Sequence, residues 1–184
     1  MTDSTMEALD TVRPLLRARQ VREFTDQPPT LVEMHAITEV ARWSGSSRNE
    51  QPWRFLVIRH RPTLAALHDA GLPQTRALKT ATAAVAIILP DDPAREVSDA
   101  YDDGRAAERM LVAATWLGLG AGITWIRPDV RAVAHRILAL PADRMVRTVL
   151  ALGQPTMAAR RPKSAPGQAR LPRAEMVREA DPPS

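Results

Sequence analysis

The chain contains no cysteine. That excludes disulfides, thiolate nucleophiles and cysteine-ligated zinc or iron–sulfur centres, and it fits a reducing compartment. Lysine is nearly absent: of 25 basic residues only Lys79 and Lys163 are lysine, and the rest are arginine. Aromatics make up 4% of the residues, so Trp43, Trp53, Trp116 and Trp125 stand out. Long hydrophobic runs are missing too. The longest apolar stretch, Ala81 to Pro90, falls far short of the ~20 residues a bilayer span requires. The opening residues Met1 to Ala8 are polar and carry acids, unlike a signal or transit peptide. The expectation is a soluble, cytoplasmic protein with no membrane partner.

What remains is a chain of 184 residues, 45% hydrophobic. That is enough for one domain with a real core. We read 1–184 as a single domain, with an N-terminal helix in 1–16 and a loop and C-terminal extension in 157–184. The net charge of +4 is carried by arginine, whose planar fork suits phosphate. The basic residues are scattered and not interleaved with aromatics, so a nucleic-acid-binding module is the least favoured reading. The four histidines lack ligand spacing and are read as non-catalytic.

Apolar periodicity predicts a helix over Met6–Arg17, broken or kinked at Pro14. A second runs over Thr30–Trp43, with Thr30 and Glu33 as a capping box. Strands are expected at Trp53–Ile58, at Ala81–Leu89 (central and buried on both faces) and at Met145–Leu152. A helix from His60 to Ala70 starts on Pro62, and Gln74–Lys79 is a short helical turn. The longest helix is Ser98–Leu117, with Ser98 as its cap and Asp99, Asp102 and Asp103 favouring its N-terminal end. Its second half, Met110–Leu117, is apolar nearly all round, which predicts that a partner chain covers one side. Val130–Leu138 turns Val133, Ile137 and Leu138 inward, and Met157–Gly167 is a loop. Arg160, Arg161 and Lys163 read as a mobile basic tail.

Three stretches carry candidate chemistry. Ser46, Ser47, Asn49 and Gln51 form a polar loop feeding a buried strand, with donors and acceptors suited to a heterocycle or sugar-phosphate chain. Read alone, the loop is better taken as a Ser/Asn turn before a strand. Arg17, Arg19 and Arg22 lie within six residues, as a phosphate cradle or as a solvated basic turn. Gly118, Gly120 and Gly122 suggest a dinucleotide fingerprint, but that requires a strand before and a helix after. Here the order is reversed, and we reject it.

Taken together, Ser46-Ser47-Arg48-Asn49-Glu50-Gln51-Pro52-Trp53-Arg54-Phe55, Arg17–Phe24, Gly118–Ile126, Gly153-Gln154-Pro155 and Arg170–Val177 resemble, in order, the motifs of the nitroreductase family of FMN-dependent oxidoreductases. The resemblance implies an α+β fold, a mixed central β-sheet flanked by helices, in a homodimer with the flavin at the interface. It implies FMN as cofactor, held by Arg17, Arg19, Gln20, Arg22, Ser46, Ser47, Asn49, Gln51, Gln74, Thr124, Trp125 and Arg170. Arg22 is the candidate for stabilising charge at flavin N1 and O2. The backbone after the glycines would meet N5. Ala18, Gln20 and Gln168 depart from the family pattern, each where a basic residue or serine is common.

No catalytic dyad, thiol or metal cluster is visible, so a cofactor must carry the chemistry. The expected reaction passes hydride from NAD(P)H through the flavin to a small acceptor such as a nitroaromatic, quinone or enone, in ping-pong order. The alternative is a relative that stores or consumes flavin, or uses a deazaflavin.

Overall fold

The computed structural model describes residues 3–161 and 170–179. Four strands form one sheet in the order β1-β2-β4-β3: β1 Arg54–Ile58, β2 Ala83–Pro90, β3 Gly120–Trp125 and β4 Arg144–Gly153. Among the described residues every strand-to-strand pairing is antiparallel, where a mixed sheet was expected; the one parallel contact is an isolated bridge from Gln20 to Ala121 at the outer edge of β3. β2 is buried along its length, as its unbroken apolar run predicts.

Helices α2 (Leu31–Arg42) and α4 (Glu96–Trp116) cover one face of the sheet. Met34, Ile37, Ala41, Met110, Leu111 and Ala114 pack there on Val85, Ile87 and Leu89. Helices α3 (Arg61–Gly71) and α5 (Pro128–Ile137) cover the other, where Leu64, Leu67, Val130 and Ala134 meet Ala84, Ala86 and Ile88. A bulge in β4 sets which residue faces which layer. Ile87 pairs with Thr148 and Ile88 with Val146, so Arg147 is the extra residue. Past it the alternation shifts by one, and Thr148 turns toward α4.

Most predicted elements are found. The Thr30 hydroxyl accepts from the Glu33 N–H at 3.2 Å, while Glu33 accepts from the Thr30 N–H at 2.7 Å, a complete capping box. Pro14 ends α1 (Asp3–Val12) and begins a 3₁₀ turn over Arg13–Arg17. Other expectations are corrected. The long helix begins at Glu96 with Arg95 at the cap position; Ser98 lies inside it, its hydroxyl donating to the Arg95 carbonyl at 3.0 Å. Along α5 Val130 and Ala134 are buried and the predicted Ile137 and Leu138 pack against the same core, whereas Val133 is exposed. The predicted loop after β4 opens with a helical turn, α6 (Met157–Arg160), and α7 (Arg173–Met176) follows in the C-terminal segment. Lys163 and Gln168 lie outside the described residues.

Candidate active site

The glycine-rich strand is what builds the site. Val21 lies so close to β3 that a side chain at Gly122 would run into the Val21 carbonyl and approach Ala77 Cβ at 3.2 Å. At Gly120 an added Cβ would meet Phe24 Cε1 at 3.1 Å. The alternate glycines therefore let the segment Arg19–Phe24 lie flat along the outer edge of β3. The Val21 N–H donates to the Ala121 carbonyl at 2.7 Å, and the Ile123 N–H donates to Gln20 Oε1 at 2.8 Å. Strand alternation turns the Trp125 N–H toward the same edge.

This packing brings Arg22 together with Gln74, Arg76, Trp125, Ile123 and Pro73 around an open cavity of about 310 Å³. Trp125 is 47% exposed and forms an apolar wall. Gln74 Oε1 is buried and has no hydrogen-bond partner among the described residues. A buried acceptor without a donor is costly unless a ligand supplies one. Beside this cavity, Arg19, Gln20 and Arg22 line a smaller one of about 160 Å³. Arg17 and Arg19 line a third of about 230 Å³. The predicted residues Arg17, Arg19, Gln20, Arg22, Gln74 and Trp125 thus form one strip along the β3 edge.

Two of them have structural duties. The Gln20 amide oxygen is occupied by the Ile123 N–H, so Gln20 fastens the arginine segment to the strand. Thr124 is buried and its hydroxyl donates to the Val149 carbonyl at 2.5 Å, which removes its side chain from the open edge.

Ser46, Ser47, Asn49 and Gln51 are placed elsewhere. They lead into β1, the opposite edge of the sheet. Three strand spacings, about 14 Å, separate the two edges. The loop is closed on itself and strained. Gln51 N–H donates to Ser46 Oγ at 2.9 Å, and Gln51 Nε2 donates to Asn49 Oδ1 at 3.3 Å. Arg48, Asn49 and Gln51 all have φ between 50° and 58°, where side chains other than asparagine are strained. α4 holds the strained shape. The Ser47 N–H donates to buried Asp102 at 3.0 Å, and Glu50 pairs with Arg95. Arg170 is exposed at the start of the C-terminal segment.

Sequence reasoning missed the acids behind these surfaces. Asp102 and Asp103, read as charges near a helix start, are both buried. Asp103 Oδ2 accepts from the Thr148 hydroxyl at 2.6 Å, and Thr148 is the register partner of Trp125. Burial pushes the Asp103 carboxyl up to about 6, against the opposing pull of Thr148 and Arg147. Arg76 and Pro73 were missed too. Nothing in local spacing marks either group, because their partners lie dozens of residues away.

An antiparallel sheet between two helix pairs, with arginines and a glycine strand at one edge, defines a class that comparison with known proteins identifies. The nitroreductase family model matches residues 15–81. A protein of Archaeoglobus fulgidus, provisionally named NADH dehydrogenase/NAD(P)H nitroreductase, is 28% identical over 143 residues, covering 74% of this chain and 80% of its own. One of the same provisional name from Methanothermobacter thermautotrophicus is 29% identical over 160 residues, covering 83% and 81%. The crystal structure of a provisionally named nitroreductase in complex with FMN, from Desulfovibrio desulfuricans, superposes with a TM-score of 0.77 at 28% identity, over 94% of this chain and 97% of that one. The chain is thus similar to the nitroreductase family model over residues 15–81, and similar in fold over nearly its whole length to a solved nitroreductase-type structure.

Proposed function

We propose that the protein binds FMN along the β3 edge and oxidises NAD(P)H, passing the electrons to a small acceptor such as a nitroaromatic, quinone or enone. The observation that carries this reading is the cavity formed by Arg22, Gln74 and Trp125. A flavin's pyrimidine edge presents carbonyl acceptors beside an N–H donor. Arg22 supplies donors, and the unpartnered Gln74 oxygen supplies the matching acceptor. The outward Trp125 N–H is suited to the neighbouring ring nitrogen. The residues present therefore fit the group.

Bound FMN would supply the two-electron chemistry that the side chains cannot. Arg22 holds positive charge where the reduced ring gathers negative charge, a preorganised electrostatic role. The Trp125 indole and Ile123 wall the ring edge and limit water. One open cavity suits two planar substrates entering in turn, which predicts parallel lines in double-reciprocal plots. By family resemblance Arg170 reaches the phosphate; Arg170→Ala then lowers FMN retention after gel filtration.

We further propose a homodimer that completes the site. The Ser46–Gln51 loop and the β3 edge carry complementary polar groups on opposite sides of one chain. Between them α4, α2 and the turn after α1 leave an apolar groove of about 600 Å³, lined by Leu15, Val40, Val112, Ala113, Trp116 and Leu117. Trp116 and Leu15 are each more than half exposed. Such a patch is suited to burial against a second copy, bringing one chain's loop to the other's arginine edge.

The test is the absorbance spectrum of the purified protein, followed by NAD(P)H oxidation with a quinone. A yellow protein whose spectrum bleaches with NAD(P)H and recovers with the quinone supports the reading. A colourless protein that takes up no FMN supplied in excess ends it.

A further inference from the structure

Arg160 belongs to none of the motifs, and sequence alone assigns it to a mobile basic tail. The structure seats it. α6 is tied to the arginine segment at several points. The Arg19 guanidinium donates to the Ala159 carbonyl at 2.5 Å. The Thr156 N–H donates to the Glu23 carbonyl at 3.2 Å, and the Thr25 N–H donates to Gln154 at 2.8 Å. The Thr156 hydroxyl caps the turn by accepting from the Ala159 N–H at 3.1 Å. Arg160 is thereby brought beside Arg17 and Arg19 around the cavity of about 230 Å³.

Among the described residues the remaining walls of that cavity carry no acid; Val21, Thr115, Leu119 and Pro155 are among them. Arg160 makes a long hydrogen bond, 3.4 Å, to the neutral Gln154 amide oxygen. No carboxylate pairs with Arg17, Arg19 or Arg160 among the described ion pairs. The C-terminal end of α4 points here, but the Gly118 and Leu119 N–H groups already occupy its last carbonyls. Three arginines lining one cavity with no carboxylate beside them among the described residues repel one another unless an anion sits between them. Their forked donors match a phosphate group. Measured along β3 from Leu119 to Ile123, the cavity lies ~13 Å from the Arg22–Gln74 pocket. Both open on the same edge, as the two ends of one elongated ligand would require.

We propose that Arg160 is a specificity-determining residue that selects the phosphorylated flavin. With Arg17 and Arg19 it closes a cradle for the terminal phosphate and supplies charge that Ala18 and Gln168 do not. This rests on the flavin reading above.

The test compares FMN with riboflavin, which lacks the phosphate, by flavin-fluorescence titration of the full-length apoprotein. Wild type is expected to prefer FMN strongly. Arg160→Ala is expected to weaken FMN about tenfold, the scale of one charged hydrogen bond, and to leave riboflavin affinity unchanged. Arg160→Lys should recover part of the loss. Arg161→Ala, removing an exposed neighbour with no place on the cavity wall, should leave the FMN-to-riboflavin ratio intact. The unchanged riboflavin affinity reports that the variant is folded. An unaltered ratio in Arg160→Ala, or equal losses for both flavins, overturns the assignment. Wild type that binds riboflavin as tightly as FMN removes the cradle and leaves the flavin site standing. Wild type that binds neither removes both.

Discussion

The two edges of the sheet solve the same problem in opposite ways. At the β3 edge a chain segment lies flat on glycines, held by the Val21–Ala121 backbone bond and the Gln20 side chain, so its arginines line the cavities along that edge. At the β1 edge the Ser46–Gln51 loop spends its own side chains on itself and adopts positive φ at three residues. Its shape is imposed from behind by Asp102 and Arg95 of the α4 region. The first edge offers charge on a relaxed backbone; the second offers a rigid, strained outline with modest charge. In the proposed homodimer each edge supplies half of the binding site.

The largest effect should come from keeping the halves apart. Trp116→Glu places a charge in the apolar groove without touching either edge. The expected outcome is a monomer by analytical ultracentrifugation that has lost FMN almost entirely. A monomer that retains FMN would show that the β3 edge suffices, and would break the comparison.

Next is Arg22→Ala. The cavity keeps its shape but loses the charge facing the ring. Turnover should fall ~100–1,000-fold, the usual loss for one preorganised donor, and the potential of the bound flavin should drop. An unchanged potential with slower turnover would assign Arg22 to substrate positioning.

Gly122→Ala probes the relaxed edge itself. The new methyl group meets the Val21 carbonyl, which cannot yield without lifting the arginine segment from β3. Overpacking of this kind costs about 1–3 kcal/mol, and FMN retention should fall with it. Thermal denaturation with and without FMN separates the two losses. The Ser46–Gln51 loop, anchored on the other edge, should keep its protection from proteolysis.

How much of this was legible in the sequence depends on how local each signal is. The capping box at Thr30, the break at Pro14 and the buried run of β2 lie within a few residues of their cause, and they were readable. Gly120 and Gly122 were readable as departures from a nucleotide fingerprint, but their purpose required knowing that Val21 packs on them. The arginine segment was visible, yet Arg160 was not. Its neighbours Gln154, Thr156 and Ala159 seat it there through hydrogen bonds with partners more than a hundred residues earlier. Asp102 and Asp103 were seen as helix-end charges because their position near the start of a long helix suggests nothing else. Their partners, Ser47 and Thr148, lie 55 and 45 residues away. The bulge at Arg147, which turns Thr148 toward Asp103, leaves no trace in hydrophobic periodicity.

Those adjacent aspartates sharpen the comparison, because Asp102 supports one edge and Asp103 the other. Asp103 reaches Thr148, the neighbour of Trp125 in the sheet, and its second oxygen is buried without a partner. Its carboxyl rises from 3.8 to about 6 in the folded chain. The folded state therefore holds this proton more tightly than the unfolded one. Below about pH 4 both states are protonated and no penalty arises. As pH climbs through 4 to 6 the unfolded state ionises first, and folding stability declines. Two pKa units set a ceiling of ~3 kcal/mol on that decline. Asp103→Asn removes the ionisation and retains an oxygen for Thr148. It also adds two donors beside Arg147, whose own Nε is buried without a partner. That offset keeps the net change at pH 7 to about 1 kcal/mol or less, of either sign. The diagnostic quantity is therefore the slope: relative to Asp103→Asn, wild type should lose stability between pH 4 and 6 in urea denaturation. Parallel profiles would mean that Asp103 is solvated and that the wall behind Trp125 is softer than the one behind Ser47.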